Sequence, residues 1–223
     1  MTTTPENRIE HATRESLLDA AEALFAEHGI QAASLRAITQ KAGANLAAVH
    51  YHCGSKEGLV KAVFSRRLKP LNQERLRLLE ACDLAAADGV EQVLRAFLAP
   101  VLRMSRETPG GAKDFAQLMG RAFTEPGEEV KQVLMEELGE MVDRFLAAFG
   151  GLLPHLPETE RIWRFHFVAG AMGHVIGCGQ LLQRYSGIDC SNPDEALRIL
   201  VSFLAAGLRA PASAGAPMEG DRA

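Results

Sequence analysis

The chain has 223 residues, 47% of them hydrophobic and 23% charged, which is the balance of a folded chain and excludes a disordered one. A formal net charge of -4 excludes a generally basic nucleic-acid coat. Cys53, Cys82, Cys178 and Cys190 are scattered without a Cys-x-x-Cys pair, so a reducing cytoplasm is expected rather than a disulfide scaffold or a zinc ribbon. The opening residues, Met1 to Glu6, carry no apolar run, and no secretory signal is expected from them.

Helical periodicity runs through nearly the whole chain. Leu17, Ala21, Leu24, Phe25 and His28 share one face, with Thr13 as the expected N-cap and Gly29 as the stop. Ser34 is placed to cap a short helix over 35–42 that ends at Gly43. Asn45 is placed to cap a second over 46–52 that ends at Gly54. Ser55 opens a long helix with Leu59, Val60, Val63, Phe64 and Leu68 inward. Pro70 lies within that helix and is expected to kink it into a hinge, unless the helix ends near Lys69 and restarts.

Further amphipathic helices are expected over 90–107, 112–124, 128–149, 158–185 and 194–209, the last with an Asn192-Pro193 start signal. The tail from Pro211, rich in Ala, Pro, Ser and Gly, reads as disordered. The stretch 165–183 has no Asp, Glu, Lys or Arg and nears membrane-span length. Its histidines, glutamines and glycines favour a buried or interfacial helix over a spanning one. The fold class is therefore all-α, with about nine helices. An N-terminal helix-turn-helix three-helix bundle over 1–54 precedes a larger helical domain over 55–210 and a tail over 211–223.

Charge separates along the chain. Residues 1–70 hold 9 Lys+Arg and 7 Asp+Glu, whereas 71–223 hold 15 and 21. A slightly basic head on an acidic carrier suits a module that touches phosphates, although chance variation on solvated surfaces gives the same imbalance.

Residues 35–52 carry the chemistry. Two short helices meet at a turn with Gly43 at its corner, and Ile38, Ala42 and Val49 point into a shared core. That is the logic of a helix-turn-helix, with an ordinary helical hairpin as the alternative. The second helix would present Asn45, Ala47 and His50 to base edges. Tyr51, His52 and Lys56, with Ser34 and Arg36 beside them, would reach phosphates.

The run from Leu17 to Gly29 resembles the first helix of TetR-family transcriptional regulators. So do Ile38 to Gly43 and Val49-His50-Tyr51-His52-Cys53-Gly54-Ser55-Lys56-Glu57-Gly58-Leu59. Cys53 stands where that family usually has Phe, which should loosen the packing behind the second helix. The resemblance, over about 14–66, implies a homodimer that binds a palindromic operator on double-stranded DNA and releases it when a small molecule occupies the C-terminal domain. A patchier resemblance to the fatty-acid-responsive PsrA-like subgroup rests on residues 45–49, 61–66, 163–167, Gly170-Ala171 and 203–209. It implies a long-chain acyl effector.

Large apolar side chains in the second half exceed what outer faces need. Phe97, Leu98, Leu102, Phe115, Met119 and Trp163 are the expected lining of a pocket for a small apolar effector, although the same residues also suit a core. Arg103, Arg121 and His166 are the expected polar end, and Arg121 has an alternative ion pair with Glu125 at i+4. Ala169, Gly173 and Gly177 form a small-residue stripe at i, i+4, i+8, expected at a dimer interface built from 158–185 and 194–209 of both subunits.

Other classes fit less well. His50, His52 and Cys53 do not share a helix face, so no metal is expected, and no cofactor is. His166, His174 and Cys178 could form a thiol-dependent catalytic set, and a helical interaction module without DNA activity is a third reading. A cytoplasmic, non-membrane, non-enzymatic regulator is the expectation.

Overall fold

The computed structural model describes residues 5–107, 111–124, 127–186 and 192–213, with side chains in these ranges except at 5–7, 105–107, 111–113, 116, 123–124, 129 and 177–182. The helices are α1 (Pro5–His28), α2 (Leu35–Ala42), α3 (Leu46–Cys53), α4 (Lys56–Glu80), α5 (Gly89–Glu107), α6 (Gly111–Thr124), α7 (Glu128–Leu152), α8 (Glu158–Ser186) and α9 (Pro193–Arg209). There is no strand among the described residues, and the all-α expectation holds.

Local capping chemistry explains most boundaries. Ser34, Asn45 and Ser55 each accept a backbone N–H three residues on, from Ala37, Ala48 and Gly58. Gly43 closes α2 at φ 64°, a left-handed conformation that suits glycine. Asn192 caps α9 with Pro193 in its first turn.

The expected cap at Thr13 is corrected. α1 begins about two turns earlier, at Pro5, and the Thr13 hydroxyl donates back to the Ile9 carbonyl within the helix. A threonine can bond the preceding turn as readily as cap a new one, so the local signal was ambiguous. The alternative that α4 stops near Lys69 also fails, because the helix runs continuously through Pro70 to Glu80.

Two apolar cores share α4. The first joins α1, α2, α3 and the first half of α4 to inward residues of α5, α6 and α7. The second joins α5, α7, α8 and α9 around Phe97, Phe145, Phe149 and Phe165. In that cluster the Phe97 ring lies 5.4 Å from Phe145 and 5.0 Å from Phe165, both edge-to-face. The inward stripe of α4 runs from Leu59 to Leu79, so one helix reaches from the first core to the second.

Polar contacts fix α4 on both sides. Arg66 binds buried Glu22 and also Asp19, at 2.7 Å, on α1. Lys61 pairs with Glu136 at 2.6 Å, and Ser65 donates to Glu137 on α7. Among the described residues no helix is long and apolar enough to cross a membrane.

Candidate functional site

The first candidate surface is the outer side of α3. Its Val49 is fully buried against Ile38, which leaves Asn45, Leu46, Ala47, His50 and Tyr51 exposed. Asn45 spends its Oδ1 on the cap, so its Nδ2 remains available as a donor. His50 Nδ1 lies 2.9 Å from the Gly54 carbonyl, an arrangement in which that nitrogen donates and Nε2 faces outward as an acceptor. Tyr51 is 73% exposed, packs edge-on against His52 at 4.9 Å, and donates to Glu10 on α1.

Lys56 Nζ donates to the Gln31 carbonyl at 3.1 Å, which leaves two of its three donors for another acceptor. Ser34 and Arg36 are exposed at the start of α2. The eight residues expected at DNA lie on α2, α3, their N-caps and the first turn of α4, with His52 and Lys56 half-buried and the rest exposed.

The joint from α3 to α4 is tight. A Cβ at Gly58 would overlap the backbone carbonyl oxygen of Cys53. Gly58→Ala should therefore displace α3 relative to α4, at about 1–3 kcal/mol for overpacking against backbone. Thermal unfolding should register the loss, and duplex affinity should fall with it. An unchanged melting temperature would show that the joint has slack. Cys53 itself is half-buried against the first core, and burial pushes its thiol pKa up.

The residues expected to line a pocket divide between the two cores and the surface. Phe97, Leu98 and Leu102 are buried in the second core, while Phe115 and Met119 belong to the first. Arg103 is exposed. Trp163 and His166 face outward, because Phe165 and Val168 take the inward positions of α8. Arg121 donates to the Glu27 carbonyl in the last turn of α1 at 3.1 Å, while Glu125 lies outside the described residues. A cavity of about 170 Å³ lies beside it, between the α1–α2 connection and α6–α7.

The third surface is an apolar face on α8 and α9. Ile162, Trp163 and Phe167 on α8 and Ile199 and Phe203 on α9 are exposed, Phe203 to 73%. Gly173 lies on the exposed side of α8, Ala169 is half-buried against the second core, and Gly177 lies outside the described side chains. His166 and His174 are exposed, and the Cys178 side chain falls outside the description.

Two family patterns match this architecture. The pattern for bacterial regulatory proteins of the tetR family matches residues 17–63. The pattern for the tetracyclin repressor-like C-terminal domain matches residues 95–207. The chain belongs to the TetR family. No curated protein matches it by sequence.

Solved structures share the fold of this TetR-family chain at low identity. The fatty acid degradation regulator FadR from Bacillus halodurans is 16% identical with a TM-score of 0.62, covering 94% of this chain and 99% of its own. SmeT, the repressor of the Stenotrophomonas maltophilia multidrug efflux pump SmeDEF, is 19% identical with a TM-score of 0.56, covering 92% and 96%. GusR of Salmonella enterica is 16% identical with a TM-score of 0.59, covering 93% and 98%.

Residues 64–94 of this TetR-family chain fall between the two matched ranges, and they hold the feature that sequence reasoning missed. Arg75 on α4 is 3% exposed and has no carboxylate partner among the described residues. Its Nε donates to the Phe97 carbonyl at 2.9 Å, and its guanidinium sits 4.2 Å over the Phe97 ring. Nη1 has Asn72 Oδ1 at 3.4 Å and Nη2 has the Met172 thioether at 3.5 Å. Burial without an anion pushes the Arg75 pKa down to about 9. The available signal was a cation in register with Leu68, Leu71 and Leu79 on an otherwise inward stripe.

Proposed function

We propose that this chain is a ligand-responsive transcriptional repressor that binds a near-palindromic operator as a homodimer and releases it when a small apolar effector occupies the C-terminal half. The observation that carries the reading is the outward face of α3, where short side chains and unspent donors stand beside exposed Ser34 and Arg36. Small residues let such a helix enter a major groove closely, and flanking polar groups suit phosphates. Asn45, Ala47 and His50 read base edges. Tyr51, His52, Lys56, Ser34 and Arg36 hold the backbone.

The dimer forms through the exposed apolar face of α8 and α9, with Ala169, Gly173 and Gly177 at the close approach. An apolar patch of this kind is what a subunit contact removes from water. The effector is an acyl compound in keeping with the PsrA-like resemblance. The regulator acts in the cytoplasm.

The reading is tested on Lys56. Each neutralised phosphate contributes about 0.9 to the slope of log affinity against log salt. Lys56→Ala should weaken binding to every duplex and flatten the slope by about two for a dimer that loses the contact twice. A change confined to sequence preference would assign Lys56 to base reading instead.

A further inference from the structure

Arg75 is hard to explain as packing. Pro100 lies inside α5, has no N–H to give the Ala96 carbonyl four residues earlier, and its ring crowds the carbonyls of that turn. The Phe97 carbonyl on this turn is the acceptor that Arg75 Nε takes, which accounts for one edge of the guanidinium. The other edge is poorly used. A 3.4 Å contact to an amide oxygen and a 3.5 Å contact to a thioether are weak partners for a buried cation. A charge held out of water normally has an anion.

We propose that Arg75 is the head-group receptor of the effector domain, its Nη1 and Nη2 taking the two oxygens of a carboxylate carried by an otherwise apolar molecule. This rests on the reading that the C-terminal half binds a small apolar effector. The Nη1–Nη2 edge is planar and matches a carboxylate in a two-bond fork. A single cation with a neutral amide beside it suits a monoanion, not a phosphate dianion. Both present partners yield easily, because a methionine side chain is flexible and Asn72 keeps its other bond, from Nδ2 to the Glu137 carbonyl at 2.7 Å. Met172 and Ile176 pack against both cores, so displacing the thioether opens the seam between them for the apolar tail.

The test uses the full chain, with dodecanoate and dodecan-1-ol as probes in isothermal titration. Two charge-assisted hydrogen bonds should make wild type bind the carboxylate at least about ten-fold tighter than the alcohol. Arg75→Met should abolish that preference, with carboxylate affinity falling to about that of the alcohol. Equal affinity of wild type for both probes would overturn the head-group assignment while the effector reading stood. Binding of neither would overturn both. A preference that survives in Arg75→Met would place the anion elsewhere. Should Arg75→Met fail to fold, Arg75→Lys, which keeps the charge and loses the fork, should reduce the preference. An undiminished preference in that variant would contradict the fork.

Discussion

Replacing Gly173 by Leu should leave the subunit folded and turn a dimer into a monomer. A Cβ built at Gly173 meets nothing within 4 Å, so the substitution costs little inside one subunit. On the proposed interface the added side chain would hold two α8 helices apart, and close packing across a subunit contact tolerates little extra volume. Light scattering should give half the dimer mass. Operator affinity should fall steeply with it, because each half of the dimer then binds without the help of the other. A dimer of unchanged stability would place the interface elsewhere. Phe203→Glu, on the exposed side of α9, should give the same outcome.

Glu22→Ala should be the most damaging change to the polar contacts that hold α1 on α4. Glu22 is 2% exposed and is held by Arg66 and, at 3.1 Å, Arg67. Removing one partner of a buried ion pair leaves the other charge uncompensated, typically at 3–5 kcal/mol. Asp19 and Glu15 still reach Arg66, so about 3 kcal/mol is expected here. For a chain of this size that corresponds to a fall in melting temperature of about 10 °C. Glu15→Ala, which removes a more exposed partner, should cost about 0.5 kcal/mol or less. Equal losses for the two variants would contradict the buried role of Glu22.

The head was legible because its signals are local. Ser34, Gly43, Asn45 and Ser55 state where helices start and stop through bonds that span three or four residues. Thr13 misled for the same reason, since its hydroxyl serves a cap or a preceding turn equally well. The second half was legible as helices but not as a site. One apolar period serves a core, a pocket and a subunit face alike, so Phe97, Trp163 and Phe167 looked equivalent. In the fold Phe97 is buried, whereas Trp163 and Phe167 are 58% and 60% exposed. The charge-free run from Phe165 read as buried or interfacial without separating the two, and Phe167, Gly170, Gly173 and His174 are exposed on the single subunit. Arg75 escaped because its meaning lies in contacts with α5 and α8, far away in sequence.

The proposed release of DNA by an effector needs a connection between the two halves, and α4 is the element shared by both cores. Its first part is held to α1 through Arg66, and its later part carries Asn72 and Arg75 into the second core. Pro70 lies between them. In the proposed mechanism a shift of the Arg75 end would travel along this one continuous helix to the element that supports α3.

The proposed function turns on sequence-specific binding of operator DNA by a dimer. Its most direct test is selection of bound duplexes from a random-sequence library with the full chain at two salt concentrations. A near-palindrome with half-sites about one helical turn apart, ~34 Å or slightly more, should be enriched, and affinity should fall as salt rises. Gly173→Leu should abolish the enrichment. A pool that stays random, or enrichment of single half-sites by a chain that is monomeric in solution, would contradict it.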